Sequence, residues 1–176
     1  MERTRVPLTI RNATIADARK IAEIHVAAWR AAYRGMMPDD YLAALSVDER
    51  CERWSKATSS FGPAIVAVVE LAAEIAGFCS FGPTRDEASS DTAEIYSLNV
   101  HPERWGQGVG RLLCEHAFRQ AAAREHNAMT LWVLGENDRA RRFYERLGYA
   151  ADGAEKIDIT TIGSALHDVR YRKAIA

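Results

Sequence analysis

Apolar and polar positions alternate through Leu8-Thr9-Ile10-Arg11, and then the period changes. From Thr14 and Asp17 onward, Ile21, Ile24, Ala28, Trp29, Ala32 and Tyr33 recur every three or four residues, one face of an amphipathic helix that Gly35 ends. Pro38-Asp39-Asp40 opens a short helix through Leu45. Ser46 caps another, with Glu49 at the capping-box position, and Gly62-Pro63 breaks it. Ala64 to Val69 is continuously apolar and rich in β-branched residues, the pattern of a buried strand. A second strand runs from Ile75 to Phe81, a polar loop from Thr84 to Asp91, and a third strand from Ala93 to Val100. Val109, Leu112, Leu113, Ala117 and Ala121 form the stripe of a strong helix. A strand from Met129 to Leu134 and a helix from Arg139 to Arg146 follow, and Leu147-Gly148-Tyr149 stops that helix with glycine at the left-handed position. Two last strands are predicted near Lys156 to Thr160 and His167 to Lys173. The order predicts one layered α/β domain over residues 1–176, a mixed central sheet of about six to seven strands flanked by helices.

Composition narrows the function more than the fold. The 176 residues are 48% apolar and 27% charged, an ordinary globular mixture. A net charge of -1 argues against nucleic acid as a partner. The longest apolar run stops at Glu70, too short to span a bilayer, and Met1 to Pro7 lacks an apolar signal core, so no membrane partner is expected. Cys51, Cys79 and Cys114 are odd in number and widely spaced. Cys79 and Cys114 stand among apolar neighbours and read as buried thiols, so a reducing, cytoplasmic location is expected. His101-Pro102-Glu103 mimics the H-x-E of zinc deaminases, but no P-C-x-x-C follows, and the five histidines have no ligand spacing; no metal is expected. A serine-hydrolase elbow, G-x-S-x-G, is absent from the sequence.

The candidate chemistry lies in Trp105-Gly106-Gln107-Gly108-Val109-Gly110-Arg111, between a strand and a helix. Glycines there bring backbone N–H groups inward at the positive end of a helix, a nest for phosphate. The alternative is a tight turn that needs glycine for geometry alone. Arg111 occupies the last glycine place of a dinucleotide fingerprint, and no Gly-Lys-Ser/Thr follows for a Walker loop.

The stretch from Asn99 to Gly110 resembles the cofactor loop of the GCN5-related N-acetyltransferase (GNAT) superfamily, Q/R-x-x-G-x-G/A, matching at Gly108 and Gly110 and departing at Trp105. Gly135 to Tyr149 resembles a second family element, "N…A…FYE+LGF". The resemblance implies a single GNAT-like domain and an acetyl-CoA-dependent N-acetyltransferase, in which a primary amine attacks the thioester directly in a ternary complex. It places the coenzyme on Trp105, Gly106, Gln107, Gly108, Val109, Gly110 and Arg111, with Leu98 and Val100 binding the pantetheine arm through their main chain. The Leu98 N–H would stabilise charge on the acetyl carbonyl. Asn137 would contact the coenzyme or cap its helix. Tyr144 would be the general acid, and Glu94 the general base or an anchor for a cationic amine. Trp29, Tyr33 and Met36 would wall the acceptor pocket, though their periodicity also suits a core. The acceptor would be a small-molecule or peptide amine, and the resemblance suggests a homodimer. The rival readings are a non-catalytic acyl-CoA-binding sensor or scaffold, and a nucleotide-binding protein that uses the glycine loop differently.

Overall fold

A computed structural model of the chain describes residues 7–60, 62–86, 91–159, 163 and 165–175. Strands β1 (Leu8–Asn12), β2 (Ile65–Leu71), β3 (Glu74–Pro83), β4 (Thr92–Val100), β5 (Ala128–Leu134), β6 (Ala150–Asp158) and β7 (Leu166–Ala174) form one sheet in the order β1-β2-β3-β4-β5-β7-β6. Neighbours are antiparallel except β4 and β5, which run parallel. A parallel pair needs a crossover, and α4 (Val109–Ala122) supplies it. The other helices are α1 (Ala18–Ala32), α2 (Asp39–Ala44), α3 (Val47–Ser59) and α5 (Asp138–Arg146).

The helices sandwich the sheet. On one face Ile21 and Ile24 of α1 and Trp54 of α3 pack on Val66, Val68 and Phe78. On the other, Val109, Leu113 and Ala117 of α4 and Tyr144 of α5 pack on Val69, Cys79, Ile95, Leu131 and Tyr171. A smaller cluster closes the C-terminal end of β5, where Val26, Met37, Leu42 and Leu45 cover Leu134 and Leu166. Ser46 does cap α3, accepting from the Glu49 N–H, and Gly148 takes the left-handed conformation after α5. Cys79 and Cys114 are buried free thiols.

One strand departs from the pattern. β6 begins at Ala150, not near Lys156, and ends at Asp158; Thr160 lies outside the described residues. It is an edge strand paired only with β7, so its first half has no apolar face to bury. A bulge between Ala151 and Glu155, with Gly153 at φ 86°, further breaks the alternation that marks a strand.

Candidate active site

The sheet opens at its centre. β4 pairs with β5 only from Thr92 to Ile95; from Tyr96 onward β4 has no strand partner on that side among the described residues. The divergence coincides with a bulge. Ser80 pairs with Ser97 and Phe81 with Ile95, which leaves Tyr96 as the extra residue that bends β4 away. The His101 N–H bonds back to the Ala76 carbonyl at 2.9 Å. By antiparallel alternation, the N–H and C=O of Leu98 and Val100 therefore point away from β3 and into the gap. The centre of the sheet thus presents an unpaired strand edge to whatever enters.

The glycine loop stands at the mouth of that gap. Gly108 is the N-cap of α4 at φ 86°, and Gly106 has φ 74°; left-handed backbone at both positions is what glycine permits. No side chain caps α4, so its first N–H groups remain available at the positive end of the helix dipole. An added Cβ on Gly106 would meet nothing within 4 Å, so the loop has open space around it. Gly77 of β3 lets α4 approach this closely: a Cβ there would lie 2.8 Å from the Val109 Cγ1 and 3.0 Å from the Asn99 carbonyl oxygen. The Trp105 indole donates to the Val100 carbonyl at 2.9 Å, and the Arg139 guanidinium lies over the Trp105 ring, 3.5 Å from its centroid. Arg139 makes no ion pair among the described residues, and burial lowers its pKa. Sequence patterning gives no sign of Arg139 or Gly77, because each acts across two elements distant in the chain.

On the α4–α5 face, Tyr144 and Leu98 belong to the same apolar cluster. Tyr144 is buried between the rings of Phe143 and Tyr149. Its hydroxyl makes no hydrogen bond among the described residues, and burial holds its pKa well above the ordinary phenol value. Asn137 caps α5, accepting from the Ala140 N–H at 3.1 Å through Oδ1, which leaves its amide N–H groups uncommitted among the described residues. Arg141 fixes the preceding turn by donating to the Gly135 carbonyl at 2.9 Å.

The α1–α3 face of the same gap is polar. Glu94 is 1% exposed, and Arg85 occupies both its oxygens: the backbone N–H at 2.8 Å, Nη2 at 2.5 Å and Nε at 3.2 Å. A carboxylate so engaged is held in place. Beyond it, Asp86 accepts from the Trp132 indole at 3.2 Å and from Arg170 at 3.1 Å, and Arg170 also reaches Asp152 at 2.7 Å. Trp29, Tyr33 and Met36 all pack on the cluster that covers Leu134 and Leu166. Trp29 lies beneath Arg50 and lines a hollow between α1, α2 and α3, together with Tyr41, Glu49 and Arg53. Tyr33, at the end of α1, lies in the field of Asp168 on β7, and burial pushes its pKa up to about 12. The structure therefore brings Tyr33, but not the Trp29 contacts with α3, to the β5–β7 side of the gap.

The family profile described as "Acetyltransferase (GNAT) family" matches residues 20–149. The chain belongs to this family. As a GNAT protein it is similar to the uncharacterized N-acetyltransferase YuaI of Bacillus subtilis, 32% identical over 130 residues that cover 74% of this chain and 73% of the relative. Its fold is shared with the PaiA N-acetyltransferase of Thermoplasma acidophilum, solved in complex with coenzyme A, at a TM-score of 0.74 and 18% identity over 96% of this chain and 99% of that one. A Salmonella typhimurium acetyltransferase, yncA, solved with acetyl-CoA, gives a TM-score of 0.71 at 25% identity, covering 97% of this chain and 95% of that one. The matched span of this GNAT chain includes both the glycine loop and the Asn137–Tyr149 element.

Proposed function

We propose that the chain transfers the acetyl group of acetyl-CoA to a primary amine, with both reactants bound together and without a covalent enzyme intermediate. The parting of β4 from β5 above the glycine loop carries this reading, because it joins a strand-like edge to an anion nest. Bound there, acetyl-CoA supplies the activated acetyl thioester. The loop amides from Gly106 to Arg111 bind its phosphates, as the positive end of α4 and its uncapped N–H groups favour. Arg139, fixed on Trp105, adds the positive charge that a tryptophan at this loop position does not provide. Leu98 and Val100 orient the pantetheine arm through the main-chain groups that face the gap, and the Trp105 indole yields the Val100 carbonyl to it. The Leu98 N–H polarises the acetyl carbonyl.

Tyr144 holds a proton for the departing sulfur. Its raised pKa keeps the hydroxyl protonated throughout the neutral range, so it acts as a donor and not as a base. Glu94, locked by Arg85, fixes the end of β3 and the start of β4 next to the bulge, a positioning role. Catalysis then rests mainly on orientation and on preorganised N–H groups.

Thiol release from acetyl-CoA over a panel of primary amines tests the reading. Release that depends on the amine is expected in the wild type, and Gly108→Asp, which sets a carboxylate in the phosphate nest, abolishes it. Acetyl-CoA binding with no amine-dependent release would instead make the chain a non-catalytic acyl-CoA module.

A further inference from the structure

Asp168, a carboxylate on the gap's polar side, makes no ion pair among the described residues. Its neighbours Val169 and Tyr171 face the α4–α5 core, so Asp168 and Arg170 face the α1–α3 side. Asp168 pairs across the sheet with Leu134 of β5, whose side chain packs beneath the Tyr33–Met36 segment. It is half-buried there, within the field of the Tyr33 hydroxyl.

The nearby cations each have a closer contact of their own than Asp168. Arg170 is bound to Asp86 and Asp152, and the His167 Nε2 is 2.9 Å from Glu155. Lys156, the register partner of Asp168 on β6, holds its ammonium over the Trp132 ring at 4.3 Å from the centroid. Through their fields Lys156 and His167 still favour the charged form of Asp168, while Asp158, also on β6, opposes it. Burial holds the Asp168 carboxyl above its ordinary pKa, so the fold bears a cost for keeping a charge at this position.

Distance sets what Asp168 can hold. It stands on the second strand from β4, and neighbouring strands are about 4.8 Å apart even where they pair, so it is roughly 10 Å or more from the Leu98 N–H. That is too far for the reacting nitrogen. We propose that Asp168 selects the acceptor by binding a second positive charge, making the substrate an amine that carries another ammonium group at its far end. The inference rests on the acetyl-transfer reading above and names the acceptor class for it. Tyr33 closes the same end and offers a hydroxyl to the same ammonium.

The test compares acetylation of 1,4-diaminobutane, spermidine, a lysine-containing dipeptide and n-butylamine by wild-type protein and by Asp168→Asn. The expected result is a kcat/KM at least about tenfold higher for the doubly charged amines than for n-butylamine. The variant loses that preference and keeps the n-butylamine rate, the KM for acetyl-CoA and the melting temperature; Asp168→Glu retains part of the preference. Preference for the free diamines alone assigns a small-molecule acceptor, and preference for the dipeptide assigns a lysine-bearing peptide. Wild-type protein that acetylates n-butylamine as well as the diamines overturns the proposal and leaves acetyl transfer standing, as does equal loss on every amine in the variant. Acetyl-CoA binding without transfer to any amine overturns the acetyl-transfer reading itself.

Discussion

Tyr144 is a buried ring whose hydroxyl makes no hydrogen bond among the described residues, so its packing rests on the ring. Tyr144→Phe is therefore expected to leave the melting temperature unchanged or slightly raised while single-turnover acetyl transfer falls about 10²–10⁴-fold. An undiminished rate would remove the proton from this residue. For Glu94 the engaged carboxylate predicts a different signature. Glu94→Gln weakens the Arg85 contacts and lowers kcat by the same factor from pH 6 to 9.5, whereas a base would show a loss that grows toward low pH. Arg139→Ala is expected to weaken coenzyme A binding about tenfold in calorimetry, consistent with losing one charged hydrogen bond. Gly108 could be read from the sequence as part of a glycine nest and Asn137 as a helix cap, whereas the role given to Tyr144 comes only from the resemblance to the family element. Arg139, Gly77 and Arg85 could not, because their roles come from approaches between elements that no local pattern encodes.

Among the elements, α1 carries a titration that belongs to the fold and not to the chemistry. His25 is buried against Trp29, Trp54 and Phe78; its Nδ1 accepts from the Trp54 indole at 3.1 Å, while its Nε2 is buried without a partner among the described residues. Burial first, and then the charges of Arg50 and Arg53, lower its pKa to about 3. The unfolded chain binds a proton here near pH 6.5 and the folded one does not, so stability is fully present above that pH and falls as the pH drops toward 3. By pH 5 the loss is about 2 kcal/mol, read as a lower urea midpoint than at pH 7. His116, lowered by burial, acts in the same direction. His25→Asn keeps an acceptor for Trp54, lowers stability overall and flattens this slope; a slope as steep as the wild type's would place the titration elsewhere. α1 and α4 were legible because each has one wet and one dry face, and α2, α3 and α5 because their caps and stops are written in the sequence. β6 was legible only in its last three residues, Lys156 to Asp158, because an edge strand with exposed side chains lacks the alternation that burial imposes.

At the scale of the whole molecule, the layered order of strands and helices follows from the hydrophobic pattern, but the gap between β4 and β5 does not. Ala93 to Val100 reads as an uninterrupted strand, and only the mismatch of Ser80 with Ser97 and Phe81 with Ile95 reveals the bulge that turns it from β5. The site is thus a failure of sheet pairing stabilised by the packing of α4 and α5 around it. Amide hydrogen exchange with and without saturating acetyl-CoA tests this most directly. Protection is expected in two stretches, Leu98 to Arg111 and the first turn of α5 from Asn137, with the Leu98 and Val100 amides slowed most. Saturating binding that leaves those two amides exchanging as fast as in the free protein would contradict the account.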